Sequence, residues 1–329
     1  MTKPPLVIAH RGASGYRPEH TAAAYQLAIT QGADAVEPDL VPTRDGVLVV
    51  RHENEISGTT DVADHPEFAD RRTTKTIDGV PLTGWFTEDF AWSELAVLRT
   101  RERLGKLRPA NARFDGTQGI LRLVDLIDLL LAADRRVLMV AELKHATYFD
   151  SIGLALPAIF ATEIARWAKP DNLVVESFEQ TVLSKVQELD VPGRVTFLAE
   201  AAGAPADQVA RFGAAARGYS DYLTDTGLSR LAASVDGVSV EKALLLETDE
   251  GGAVTGTTDL AIRARSVGLE TYTWTLRAEN QFLEKNFRRG PRPRDLGHWE
   301  REFVAVMRSG IDGVFADQPD LALRARAGL

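Results

Sequence analysis

A chain of 329 residues, 44% of them hydrophobic, is long enough to bury a sizeable core without disulfides or structural metals. It has no cysteine, which excludes disulfides, zinc–thiolate sites, iron–sulfur clusters and a cysteine nucleophile. The formal charge of −9, from 38 basic and 47 acidic residues, argues against a nucleic-acid partner, and no apolar run reaches the length of a membrane span.

In chain order, the first element is a short apolar run over residues 6–10 that ends in polar residues and predicts a buried strand. It follows Met1 so closely that no signal peptide fits. The sequence as it stands reads as cytoplasmic, or as periplasmic or secreted if an export segment was trimmed. A loop rich in Gly and Pro spans residues 11–19, and helical spacing over 21–31 stops at Gly32. A second strand is predicted over 35–41. Asp45-Gly46 is a hairpin dipeptide, and a parallel crossover does not fit in so few residues, so 47–53 is the return arm of a hairpin. Residues 54–119, rich in Thr, Asp, Arg and Gly, read as an insertion after strand two. It is a lid or small subdomain whose one clear helix is 87–98.

Six further strands are expected over residues 137–144, 173–178, 194–199, 236–241, 269–276 and 313–317, with helices over 123–133, 152–168 and 260–267 between them. An Arg/Pro-rich stretch over 288–297 reads as a second, shorter excursion. Eight strands alternating with helices predict an α/β fold: a single (β/α)8 TIM barrel domain over 1–329 with an insertion after strand two. The rival is an open doubly wound sheet, weakened because no Gly-x-Gly-x-x-Gly follows the first strand.

In such a barrel the carboxyl ends of the strands line the site. His10 ends strand one. Glu37 and Asp39 lie two apart on strand two and so share a face, and Glu142 and Lys144 repeat that spacing on strand three. Buried acids converging on one space repel one another unless neutralised, and a hard divalent cation, Ca²⁺ or Mg²⁺, does this with oxygen ligands. The competing account is plain salt bridging to Arg11 and Lys144. His52 closes the hairpin's return arm. With His10 it makes two of only six histidines fall at strand ends near the same acids, a pair suited to act as general base and general acid in displacement at phosphorus. His20, His65, His145 and His298 read as loop, lid or surface residues, with His20 and His145 near the site in sequence. Phe178 and Trp274 either face a substrate or fill the barrel, and the placement of Tyr148 is open.

The run His10-Arg11-Gly12-Ala13-Ser14-Gly15-Tyr16, followed by Pro18-Glu19-His20-Thr21, resembles the opening motif of the glycerophosphodiester phosphodiesterase family. Glu37-x-Asp39, Thr43-Arg44-Asp45-Gly46, His52, Glu142-x-Lys144, Ser177-Phe178, Tyr272-Thr273-Trp274-Thr275, Gly310-Ile311-Asp312-Gly313 and Asp317-Gln318-Pro319 follow in that family's order. The form Pro-Glu-His-Thr and the segment 59–64 are similar to the bacterial periplasmic-type branch. Glu53 departs from the family's usual aspartate, and many members carry asparagine where His20 stands. The resemblance implies cleavage of glycerophosphodiesters to glycerol 3-phosphate and an alcohol. It implies Glu37, Asp39 and Glu142 as metal ligands and His10 and His52 as acid and base. Arg11 and Lys144 are implied as phosphate-holding residues, and calcium as a more fitting cation than magnesium. The expected partner is a small glycerophosphodiester, without nucleic acid and without stable membrane insertion.

Two other readings stand beside it. A phospholipase D-like or phosphoinositide-type phosphodiesterase on a related barrel should expose lid aromatics such as Trp85, Phe86, Phe90 and Trp92 to lipid. A non-catalytic phosphodiester-binding protein should have lost one of the acids or histidines, and this chain retains the set.

Overall fold

A computed structural model describes residues 3–329. Eight parallel strands form a closed barrel: β1 (Leu6–His10), β2 (Ala35–Glu37 and Asp39–Pro42), β3 (Leu138–Leu143), β4 (Leu173–Ser177), β5 (Arg194–Ala199), β6 (Gly237–Glu241), β7 (Glu270–Leu276) and β8 (Gly313–Ala316). β8 pairs with β1 at Leu6↔Gly313 and β2 pairs with β3 at Val36↔Met139, so no edge remains. β2 is written in two pieces because Pro38 has no N–H to give to the ladder. The register runs through it, from Val36↔Met139 to Asp39↔Glu142. The return arm, Leu48–Val50, pairs antiparallel with Asp39–Pro42, which places His52 on a hairpin at the barrel mouth as expected.

Helices cover the outside of the barrel. The first, Ala22–Gln31, starts where the Thr21 hydroxyl accepts the Ala24 N–H at 3.1 Å and stops at Gly32, whose φ of 93° suits a residue without Cβ. The helix expected over 152–168 is shorter. Gly153 takes a φ of 83° after the short helix Ala146–Ser151, and Pro157 sits in the first turn of the next helix, Leu156–Ile164.

Within the barrel, Ile8, Ala35, Val140, Val174, Tyr272 and Phe315 pack as one buried cluster, apart from the larger core between strands and helices. Two residues further along the same strands come His10, Glu37, Glu142, Glu176, Trp274 and Asp317. The period-2 alternation of a strand therefore lays a polar layer on an apolar one at the carboxyl end of the barrel.

Residues 54–119 contain short elements. A hairpin, Thr73–Ile77 with Val80–Gly84, turns at Asp78-Gly79, where φ is 48° and 85°. The helix expected over 87–98 does not form as one piece. A 3₁₀ turn, Thr87–Asp89, and a single helical turn, Trp92–Leu95, are separated at Phe90, whose backbone is extended and whose carbonyl accepts the Arg44 N–H at 2.9 Å. Burying Phe86 and Phe90 fully outweighs helical continuity here. A second hairpin that the sequence reading missed, Leu246–Thr248 with Val254–Thr257, follows β6.

Candidate active site

The polar layer opens into a cavity of about 300 Å³ at the carboxyl ends of the strands. His10, Arg11, Glu37, His52, Glu142, Lys144, Phe178 and Trp274 all line it, and Asp39 alone of the expected residues does not. The turn after β1 creates one wall. Arg11 has a φ of 58° and Gly12 of 81°, and this bend lets the Arg11 N–H reach the Glu37 carboxylate at 2.8 Å.

Glu37, Glu142 and Glu176 can each offer a carboxylate oxygen within 4.8 Å of the other two, and all three are buried. Glu176 is the residue that sequence reasoning missed. It ends the apolar run of β4 and pairs in register with Glu142, so the rule that marked Glu142 on β3 marks it as well. Asp39 is in register with Glu142 but outside this group; its Oδ2 is held by His20 Nε2 at 2.8 Å and Arg11 Nε at 3.3 Å, while its Oδ1 is buried without a hydrogen-bond partner. His20, expected in a loop or at the surface, is fully buried, with Nδ1 2.8 Å from the Tyr25 hydroxyl. The salt-bridge account thus holds for Asp39 and partly for Glu142, whose carboxylate lies 2.8 Å from Lys144 Nζ. Among the described residues, Glu37 and Glu176 have no side-chain cation within 4 Å.

The electrostatics follow. Burial, reinforced by Asp39, pushes Glu37 well above the usual carboxylate range. Burial and then Glu142 do the same to Glu176. Burial raises Glu142 to about 8, against the opposing pull of Lys144. Asp39 goes the other way: burial opposes ionisation, but His52, Lys144 and the His20 hydrogen bond outweigh it. Three clustered acids with one neighbouring ammonium are short of positive charge, and Glu176 Oε2 is buried without any hydrogen-bond partner. An oxygen-only donor set of this kind fits a hard divalent cation.

Each histidine is held by a carboxylate. His10 Nδ1 lies 2.6 Å from Asp317 Oδ1, and His52 Nδ1 lies 2.6 Å from Glu53 Oε1. Against burial, Asp317 is held ionised by Arg277 and Arg108, and Glu53 by its hydrogen bond with His52 and then by Arg103. An ionised carboxylate only accepts, so Nδ1 carries the proton in both rings and each Nε2 keeps its lone pair. Burial, then the charge of Arg11, lowers His10 to about 4. Burial, then Arg11 and Lys144, lowers His52 to about 3. Both rings are therefore neutral near pH 7, and Lys144 Nζ lies 3.4 Å from His52 Nε2.

Phe178 and Trp274 meet edge to face with centroids 5.8 Å apart on one side of the cavity, so they belong to its wall, while Tyr272 fills the barrel below. Lys144 Nζ sits 5.5 Å from the centre of the Phe178 ring. Tyr148 lies outside this cavity and donates its hydroxyl to Glu88 at 2.6 Å. His65 stacks on Phe68, and His145 pairs with Asp78 at 2.5 Å.

A closed barrel with acids and histidines at its carboxyl rim defines a (β/α)8 enzyme with its site where enzymes of that fold carry it. The chain belongs to the glycerophosphoryl diester phosphodiesterase family, whose profile matches residues 10–321. A glycerophosphodiester phosphodiesterase of Arabidopsis thaliana is 30% identical over 339 aligned positions, which cover 96% of this chain and 84% of that protein. Among solved structures, an Oleispira antarctica phosphodiesterase in complex with the product sn-glycerol-3-phosphate superposes with a TM-score of 0.63 at 18% identity, over 98% of this chain and 96% of that one. A glycerophosphodiester phosphodiesterase of Agrobacterium tumefaciens superposes with a TM-score of 0.58 at 18% identity, over 97% and 99%. At these identities the likeness is one of fold.

Proposed function

We propose that the protein hydrolyses glycerophosphodiesters to glycerol 3-phosphate and an alcohol, with His10 and His52 as the acid–base pair. The observation that carries this is two imidazoles with Nδ1 fixed by carboxylates, both lining the cavity that also holds the three clustered acids. Family membership and the product named in the Oleispira structure support the substrate class.

Glu37, Glu142 and Glu176 hold a divalent cation in this reading. Asp39 lies outside that cluster, and its Oδ1, buried without a hydrogen-bond partner, is a further oxygen the cation could draw on. Carboxylate oxygens alone favour calcium before magnesium, since magnesium keeps more of its water. When bound, the cation supplies Lewis-acid withdrawal of charge from phosphorus. Arg11 and Lys144 offset the charge on the phosphoryl oxygens as the bonds rearrange. One histidine removes the proton of the attacking hydroxyl through Nε2, and the other protonates the leaving alcohol. Both rings are neutral in the free site, so the acid must first take up a proton, and the anionic diester raises the affinity of a neighbouring imidazole for one. Phe178 and Trp274 form the apolar wall along the glycerol or its alcohol. No residue of 54–119 lines this cavity, but Thr76, Asp78, Gly79 and Val80 line a neighbouring pocket together with Glu142, Lys144 and Phe178.

A lipid-cleaving variant of the reading expects lid aromatics facing outward. Phe86 and Phe90 are fully buried, Trp85 is nearly so and Trp92 is half-buried, which removes its support. The test is release of glycerol 3-phosphate from glycerophosphocholine and glycerophosphoethanolamine by the wild type and by His10→Ala and His52→Ala. Each variant should lose at least ~10²-fold in rate, the usual size of acid–base catalysis. Near wild-type rates in both would remove the scheme.

A further inference from the structure

Both carboxylates that fix the histidines are themselves fixed by arginines from the inserted segment. Arg103 grips Glu53 with two hydrogen bonds, Nη1 to Oε1 at 2.7 Å and Nη2 to Oε2 at 2.5 Å. The same guanidinium binds Glu19 through Nε at 3.0 Å and Nη2 at 2.7 Å, and Glu19 in turn accepts from Arg11 Nη1 at 3.1 Å. Five residues on, Arg108 donates Nη2 to Asp317 Oδ2 at 2.7 Å and Nε to Glu279 at 2.6 Å, while its Nη1 reaches the Ser14 carbonyl at 3.2 Å. Asp317 Oδ1 is thereby left for His10, while Glu53 Oε1 is shared by Arg103 Nη1 and His52 Nδ1. Neither arginine lines the cavity.

The two relays are alike: arginine, carboxylate, imidazole. Arg103 holds Glu53 with two bonds and Arg108 holds Asp317 with one; each restrains rotation of its carboxylate and keeps it ionised, and an ionised, restrained carboxylate fixes the ring and its tautomer. Resting on the assignment of His10 and His52 as the acid–base pair, we propose that Arg103 and Arg108 are positioning residues that lock both rings through Glu53 and Asp317. The inserted segment thus acts on the acid–base pair from outside the cavity, which none of its residues lines. The relays are unequal. Among the described residues, Arg103 is the one cation paired with Glu53, whereas Asp317 also holds Arg277 Nε at 2.8 Å. Losing Arg103 therefore unlocks His52 more than losing Arg108 unlocks His10.

The experiment uses the full chain with calcium, glycerophosphocholine as substrate, and Arg103→Met, Arg103→Lys and Arg108→Met. Arg103→Met should lower kcat by ~10–100-fold, the usual effect of removing a partner that orients a site residue. KM should change less than kcat, about threefold, because Arg11, which shares Glu19 with Arg103, is also held by Asp39. The imidazole ¹⁵N spectrum of His52 should change from one dominated by Nδ1–H to a mixture of tautomers. Arg103→Lys should recover part of kcat, since it restores the charge without the fork. Arg108→Met should show the same signs at His10 with a smaller loss. An unchanged kcat and an unchanged His52 spectrum in Arg103→Met would overturn the proposal. So would a loss of kcat that tracks only a fall in melting temperature with the tautomer preserved. A wild-type rate in His52→Ala marks the failure of the acid–base reading instead, and the ¹⁵N spectrum of Arg103→Met then still reports whether the arginine orders the ring.

Discussion

Glu176 shows how one side chain changes the chemistry of a site. With it, the cluster has three buried carboxylates and, among the described residues, Lys144 as the one side-chain cation paired with any of them. Without it, Glu142 and Lys144 form a paired unit beside a lone Glu37. Glu176→Gln keeps the shape and removes one anionic ligand, so calcium affinity, read by calorimetry, should fall by at least ~10-fold, because affinity in such sites follows ligand charge. An unchanged affinity would exclude Glu176 from the site. The residue was legible, since strand four reads Val174-Val175-Glu176, the same pattern of an acid after an apolar run that marked Glu142. The pairing of Asp39 with His20 was not legible, because it depends on how the loop after β1 folds back. Glu179 gives a separate prediction. Burial, with Asp78 adding and Thr147 opposing, raises its carboxyl from 4.5 to about 7. The folded chain holds this proton between those values and the unfolded chain does not, so stability falls as pH rises through that window. The rise corresponds to ~3 kcal/mol at most. In thermal melts, Glu179→Gln should be more stable than wild type at pH 8 and nearly equal to it at pH 5. An equal difference at both pH values would contradict this.

The turn after β1 does most of the placing among the elements. Arg11 and Gly12 both adopt left-handed backbone, and a Cβ on Gly12 would lie 2.7 Å from the carbonyl carbon of Ala24 in the first helix. Gly12→Ala should therefore cost about 2–4 kcal/mol in urea melts, from backbone strain and overlap together, and should lower kcat/KM by displacing Arg11. A loss under 0.5 kcal/mol would show that the turn relaxes freely. Elements whose pattern is repeated by burial were legible. The strands carry continuous apolar runs, and the Thr21 cap and Gly32 stop bound the first helix closely. Residues 87–98 misled because Phe86, Phe90 and Leu95 fall at nearly helical spacing while being buried by separate short turns. The hairpin at Asp78-Gly79 had a readable turn, but its Thr-rich strands lie mostly exposed and carry little apolar alternation.

At the scale of the molecule, the barrel was legible because eight buried strands separated by helices have few closed arrangements. The site followed from where polar residues interrupt those strands. What connects the site to the rest was not legible. Arg103 and Arg108 sit in a stretch without periodic pattern, and their partners Glu53, Glu19, Glu279 and Asp317 come from four places in the chain. Long-range ion pairs of this kind leave no local trace in sequence. In the proposed reading, the clustered acids hold a divalent cation on which cleavage of the diester depends. The most direct test of that reading is glycerol 3-phosphate release from glycerophosphocholine by protein exhaustively treated with EDTA and then titrated with Ca²⁺ or Mg²⁺. Release should stop on chelation and return on titration, with calcium the more effective ion; full release from the chelated protein would contradict the account.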